Sequence, residues 1–381
     1  MLKNCVFFSP QNVAQCDAAS AKYALDRAAK FTSLGLKDLG YRYINIDDCW
    51  STKSRDSSGK LVPDPKKWPN GIKSVVDQIH SMGLKFGLYG CAGQMTCAGY
   101  PGSEGRERSD VAQLVGWGID FWKYENCYTP CRQNPRPQTC NSPSGSTRTW
   151  YAPMRDAIQA VQTNSSKIHF NLCNWGRDQV WTWGAQYGHS WRMSVDNWGD
   201  WASVERIGSA AADIHQYSAP GGFNDLDMLY LGSSKLNTNQ EKLHFGLWAI
   251  AKSPLVLGLD LNKISAPTLS TTRNKGLIDI NQDDLGKAAT IFRPPGSPAP
   301  VQGKIYPYWA GGLKDGVVIS LCAGTAAGTY SVSFKDVPGL GGGSKAYAWK
   351  EMYPGQTGNG TGVSFDITLH DMRVVKVMTT V

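Results

Sequence analysis

The chain has 381 residues, a net charge of +8 and only 18% charged side chains, a length and balance that suit one large globular domain and a smaller one. Its basic residues are scattered, with no Lys/Arg run and no basic amphipathic helix, which argues against a nucleic-acid partner. No apolar run approaches the roughly 20 residues of a membrane span, and the opening MLKNCVFFSPQN has too short an apolar core for a signal peptide.

From about residue 18 to 265 short apolar runs alternate with longer helical patterns. Strands are predicted at YRYINIDD (41–48), LKFGLYG (84–90), IDFWKYEN (119–126), KIHFNLCN (167–174), SWRMSVD (190–196), GGFNDLDML (221–229) and PLVLGLDL (254–261). Between them, AKYALDRAAKFTSLGL, SVVDQIHSMG, YAPMRDAIQAVQ, SVERIGSAAADIHQY and EKLHFGLWAIAK carry helical spacing. Single alternation of this kind predicts an α/β fold, a parallel (β/α)₈ TIM barrel, over residues 1–285. An eighth strand is needed first, and only KNCVFFSPQN is available, so the first strand is expected to be atypical or missing. No GxGxxG or GxxxxGK[ST] follows any strand, which removes the nucleotide folds. After residue 285 short alternating runs separated by Gly-rich turns predict a C-terminal antiparallel β-sandwich over 286–381.

Ten cysteines fit an oxidising compartment. Cys131 and Cys140 bracket the Pro-rich RQNPRPQT, a loop that a disulfide would tie off, and sequons stand at Asn164 and Asn359. Together they favour a secreted glycoprotein.

Polar side chains collect where the predicted strands end: Asp47 and Asp48, then Tyr89, then Lys123 and Glu125, then Asn174 and Trp175, then Arg192 and Asp196, then Asp225 and Asp227. One such pair is an ordinary turn or cap acid. Six strands in succession ending this way mark the rim on which barrel active sites are built. Several carboxylates with one Lys, one Arg and nearby Trp suit glycoside hydrolysis, which needs one proton donor and one carboxylate at the anomeric carbon. With six His and no HxH or HExxH, a metal site is disfavoured, and no GxSxG elbow supports a serine hydrolase.

YINIDDCW, GLKFGLYG, MTCAGYPGS, LCNWG, SWRMSVD, GGFNDLDML and WAIAKSPLVLG, in this order, resemble the glycoside hydrolase family 27 α-galactosidases, fungal ones in particular. The resemblance runs from about residue 16 to the end. It implies a (β/α)₈ domain with an antiparallel β domain, and retaining hydrolysis of terminal α-galactosyl groups of oligosaccharides or galactomannans without metal or cofactor. By the same resemblance, Glu125 falls on the nucleophile position and Asp196 on the acid/base, four residues after Arg192. Asp47 and Asp48 would hold the O4 and O6 side of galactose, with Tyr89, Lys123 and Asp227 in the same pocket. Asn174, Trp175 and Arg177 would face O2. Their bulk favours galactose over an N-acetylated sugar, although α-N-acetylgalactosaminidase and β-L-arabinopyranosidase use the same scaffold. Cys97–Cys127 and Cys16–Cys49 match family disulfides, whereas Cys5, Cys91, Cys173 and Cys322 have no assigned partner.

Two departures stand out. The family's opening strand, of the type MGWNSWN, has no counterpart, and residues 1–15 look like a replacement or a mis-started N-terminus. The nucleophile position, normally Asp, holds Glu, whose extra methylene extends its reach by roughly 1.5 Å. A shifted backbone that restores attack, a slow enzyme and an inactive sugar-binding relative all stay open on that residue.

Overall fold

The structure is a computed structural model and describes residues 5–8 (backbone only), 16, 19–129, 146–162, 167–343 and 345–379. The Cys131 and Cys140 loop and the Asn164 sequon lie outside these residues. Two compact units divide the chain between residues 195 and 196.

In the first unit six strands lie side by side in chain order: β1 (Cys5–Phe8), β2 (Tyr43–Ile46), β3 (Lys85–Cys91), β4 (Phe121–Glu125), β5 (His169–Leu172) and β6 (Ser190–Arg192). Every pair is parallel, with Cys91 opposite Glu125 and Leu172 opposite both Tyr124 and Trp191. The first strand is therefore formed and not missing, with Cys5 to Phe8 registered on Tyr43 to Ile46. CVFF is a run of β-favouring residues, which suffices for a short strand on a parallel neighbour. No tryptophan precedes Trp50, so the family's Trp in this strand has no equivalent.

Helices α1 (Ala21–Ser33), α2 (Gly71–Ser81), α3 (Glu107–Trp117) and α4 (Arg148–Val161) connect these strands. Ser20 caps α1 by accepting the Tyr23 N–H at 3.3 Å, and Ala24, Ala28 and Phe31 form the buried stripe. Helix α3 fills the crossover between β3 and β4 that the strand–helix alternation requires, where the sequence pattern names no particular helical run. It buries Val111 and Leu114, and a buried ion pair adds to their packing: Arg55 meets Asp110, which is fully buried, at 2.6 and 2.7 Å.

The second unit holds β7 (Phe223–Asp225), β8 (Val256–Leu257) and helices α5 (Trp201–Ala211), α6 (Thr238–Ile250), α7 (Ala266–Thr272) and α8 (Lys275–Asn281). Leu229, just past β7, bridges Leu257 in parallel. Eight further strands follow: β9 (Thr290–Ile291), β10 (Tyr308–Leu313), β11 (Gly316–Cys322), β12 (Gly328–Ser333), β13 (Tyr347–Glu351), β14 (Thr357–Gly360), β15 (Gly362–Ile367) and β16 (Met372–Met378). Six make an antiparallel sheet in the order β14-β13-β16-β11-β10-β9, and β12 pairs with β15. Val332, Val363 and Ile367 of that pair share one core with Ile319, Leu321, Val375 and Val377 of the sheet. Helix α6 packs on β16 through Gly246, where a Cβ would stand 2.2 Å from Met372 Sδ. Lys242 adds a partly buried ion pair to Asp371 at 2.6 Å.

Most strands stop short of the predicted runs because the backbone turns at their polar ends. Cys49, Trp175 and Asp227 take φ of +74°, +65° and +74°, a left-handed turn that ends ladder pairing. Non-glycine residues rarely adopt it, and such positions gather at functional sites.

Candidate active site

In the first unit parallel pairing brings the C-terminal ends of β2 to β6 to one edge. Asp47, directly after β2, accepts from Lys123 of β4 at 2.6 Å, and both side chains are largely buried. Burial pulls the Lys123 pKa down, yet Asp47, with help from Cys173 and Glu125, holds it well above the ordinary lysine value against the nearby Arg192. The ion pair wins, so Lys123 is a fixed cation.

Asp48 is held differently. Its carboxylate accepts the Cys49 N–H at 2.7 Å and the Ala98 N–H at 2.9 Å. Burial raises its pKa from 3.8 to about 6, with the Asp47 charge adding to the rise and the amide and Thr96 hydrogen bonds opposing it. Tyr89 completes this wall: its ring lies 5.4 Å from the Lys123 Nζ and its hydroxyl donates to Cys97 Sγ at 3.3 Å. Burial first, then the charges of Asp48 and Glu125, push its phenol well above the ordinary range, so it stays a donor.

Glu125 ends β4 and is 5% exposed. One carboxylate oxygen accepts the N–H of the next residue, Asn126, at 2.9 Å, so the side chain folds back on its own backbone. A Glu125 oxygen and the sulfurs of Cys97 and Cys127 lie within 4.8 Å of one another. Those sulfurs form a disulfide with Cα atoms 5.2 Å apart and are not thiolate ligands. Gly93 lets the loop after β3 reach this point, since a Cβ there would meet the Cys127 carbonyl at 2.1 Å. Cys16 and Cys49 form the second disulfide, with Cα atoms 5.3 Å apart, and the Lys67 ammonium donates to both their carbonyls at 2.9 and 2.7 Å.

Asn174 follows β5. Its amide donates to Thr147 Oγ1 at 3.0 Å, while its buried Oδ1 finds no donor among the described residues. Trp175 is partly buried, with the Arg177 guanidinium 5.9 Å from its ring. Arg192 is buried at the end of β6, its Nη1 3.7 Å from Cys173 Sγ and its carbonyl accepting the Gly176 N–H at 3.0 Å.

In the second unit Asp196 is half-buried and its carbonyl accepts from Arg206 of α5 at 3.0 Å. Asp227 is buried and accepts the Asn197 N–H at 2.8 Å, so it holds the residue next to Asp196. The Asp227 N–H donates to Asp225 at 2.8 Å, and its carbonyl accepts from Trp248 Nε1 at 2.7 Å. Buried His244, whose pKa burial lowers to about 3, lies 3.4 Å from the Asn197 amide as a neutral ring.

A family model described as "Alpha galactosidase A" (Melibiase_2) matches residues 9–283. The chain belongs to this α-galactosidase A family. It is 36% identical to a "Probable alpha-galactosidase B" of Penicillium simplicissimum, over 96% of this chain and 91% of that one. Alpha-galactosidase I from Mortierella vinacea superposes with a TM-score of 0.86 at 30% identity, covering 99% of this chain and 97% of that one. A Saccharomyces cerevisiae α-galactosidase solved with raffinose matches with a TM-score of 0.83 at 28% identity, covering 98% and 97%.

Within this family member, Asp47, Asp48, Tyr89, Lys123, Glu125 and Arg192 fall into one connected cluster in the first unit, and Asp196 and Asp227 into one loop system in the second. Sequence reasoning missed the supports. Thr96 and Ala98 sit in the quoted MTCAGYPGS, yet nothing in that string says that they serve Asp48. The staple between Asn197 and Asp227 was equally silent.

Proposed function

We propose that this chain is a retaining α-galactosidase that removes terminal α-D-galactosyl groups from oligosaccharides or galactomannans. The observation that carries it is the buried cluster of Asp47, Lys123, Asp48, Tyr89 and Glu125 at adjoining strand ends, in a chain whose relatives are named α-galactosidases over nearly their whole length. Asp47 and Asp48 accept from the O4 and O6 hydroxyls, and the Lys123 ammonium donates beside them. Asn174 offers its Oδ1, and Trp175, Arg177 and Arg192 wall the O2 side. Asp227 fixes the loop that carries Asp196.

Glu125 attacks the anomeric carbon as Asp196 passes a proton to the glycosidic oxygen, and the C–O bond breaks to leave a glycosyl ester on Glu125. Asp196 then takes a proton from water, which cleaves the ester and releases galactose with its configuration retained. The folded-back Glu125 takes up part of its extra length, and the bond to Asn126 must loosen as the carboxylate advances, so attack is slow but not abolished. The element order, together with the likeness to solved α-galactosidases, supports closure of the eight strands as a (β/α)₈ barrel over 1–285, with an all-β domain over 286–381. Two disulfides favour a secreted protein, and no described helix is long and apolar enough to cross a membrane.

Hydrolysis of an aryl and of an alkyl α-galactoside by the chain, by Glu125→Asp and by Asp196→Ala tests the reading. Asp196→Ala is expected to lose about 1,000-fold in kcat/KM on an alkyl galactoside, within the usual range for a general acid. Glu125→Asp is expected to raise kcat by about 100-fold, the scale of a 1 Å misplacement. A chain that binds galactose but is inert until Glu125→Asp is made is a sugar-binding relative instead. Full activity of Asp196→Ala on the alkyl galactoside removes the acid/base assignment.

A further inference from the structure

Trp198 stands apart from the other thirteen tryptophans, all buried or partly buried, because its side chain is 54% exposed. No aromatic or cationic side chain among the described residues stacks on it. Exposure of this kind is usual at a mobile tip, yet the backbone here is pinned from every side. The Trp198 N–H donates to Ser203 Oγ at 3.2 Å and its carbonyl accepts from Lys235 at 3.0 Å. Asn197 before it is fixed to Asp227 and to the Met228 carbonyl at 2.8 and 3.0 Å. Gly199 after it donates to Asn197 Oδ1 and accepts from Ser233, both at 3.0 Å. A rigid stage thus holds one large apolar face in water, two residues beyond Asp196.

We propose that the Trp198 indole is the platform for the leaving-group side of the substrate, stacking on the sugar to which the galactosyl group is attached. The inference rests on Asp196 as proton donor, as proposed above. A donor to the glycosidic oxygen must lie on the leaving-group side of the scissile bond, so the next sugar emerges past Asp196. Pyranose rings present C–H faces that suit a flat indole, and a pre-fixed ring loses little conformational freedom on binding. The ligand class is a glycosylated aglycone, an oligosaccharide or polysaccharide branch, as against a simple alkyl galactoside. The platform adds affinity without touching the galactosyl pocket.

Calorimetric titration of a slow background, Glu125→Gln, with galactose and with raffinose tests this, with and without Trp198→Ala or Trp198→Phe. Trp198→Ala is expected to weaken raffinose about fivefold, the scale of one aromatic stack, and to leave galactose within about twofold. Trp198→Phe should recover about half of that loss on a logarithmic scale, because a smaller ring keeps part of the face. Equal weakening of both sugars, or none of either, overturns the platform while leaving the galactosidase reading intact. If neither sugar binds the Glu125→Gln chain, but galactose binds Glu125→Asp, the background is at fault and the same comparison is read in Glu125→Asp through KM for raffinose and methyl α-galactoside. Failure of galactose to bind any variant overturns the parent reading and the platform with it.

Discussion

At the strand ends of residues 3–195 Asp47 and Asp48 answer first to charge and burial, whereas the loop 196–200 is held by hydrogen bonds to its main chain and by the Asp200 cap at a half-wet surface. Asp47 is matched to a buried ammonium at 2.6 Å, and Asp48 sits beside it under strong desolvation. Asp196 and Asp200 lie on a loop stapled through Arg206, Asp227 and Ser203. The first region is a set of mutually dependent charges in a low dielectric, where removing one strands another. In the second, a lost contact is largely replaced by water. Perturbations of the first should therefore be large and strongly pH-dependent, and those of the second small.

Lys123→Met is the severest break. It leaves Asp47 buried without its cation, and removing one partner of a buried pair costs about 3–5 kcal/mol. The urea midpoint should fall accordingly, and adding Asp47→Leu should recover much of the loss, since no charge is then stranded. A single variant within about 1 kcal/mol of the parent, the scale of an exposed pair, would show that Asp47 finds water or another donor.

Asp48→Asn should act in the opposite direction. The folded-state pKa of Asp48 is raised from 3.8 to about 6, so the native state disfavours the ionised acid. Stability is then fullest below the unfolded value and is lost as pH rises through the folded one. An amide escapes that loss. The variant's stability relative to the parent should rise between about pH 4 and about pH 6 and then level off, by about 3 kcal/mol at most from a shift of some 2 units. Against this stands a pH-independent cost, because the two Asp48 oxygens accept from Cys49 and Ala98 and an amide keeps only one acceptor. It should also lose galactose affinity, because an acceptor pair becomes half a donor. A gain that shrinks with rising pH would contradict burial as the dominant influence on Asp48.

The same contrast separates what was legible in the sequence from what was not. Apolar runs ending in DD, KYE, CNW and DLD announce a polar rim, because period-two burial stops where polar residues begin. Strand ends were over-extended, since nothing local tells Cys49 or Asp227 to turn left-handed. The first strand was undervalued because CVFF is short, and its partner Tyr43–Ile46 lies more than thirty residues on. Helix α3 is weakly marked in the sequence because its buried apolar residues are few, chiefly Val111 and Leu114, and a distant arginine, Arg55, helps dock it through Asp110. The means of holding Asp48 was invisible for a similar reason: its donor at Ala98 is a backbone N–H fifty residues away.

Asp200→Ala probes the second region at its gentlest. Asp200 caps α5, its carboxylate accepting the Ser203 N–H at 2.9 Å. That bond, then the Ser203 hydroxyl, lowers its pKa below the ordinary 3.8. A lowered folded-state value means stability that is present above the unfolded pKa and lost as pH falls through the folded one. Removing the cap should cost about 1 kcal/mol near neutrality, and the difference should disappear in acid below the ordinary aspartate range. Asp48→Asn and Asp200→Ala thus open their gaps from the parent in opposite senses as pH rises, one towards greater stability and the other towards less. Asp200→Ala should also leave galactose affinity unchanged, because Asn197 keeps its separate hold on Asp227. A loss larger than that of Lys123→Met would mean that the 196–200 loop, and not the Asp47–Lys123 pair, is where this chain concentrates its stability.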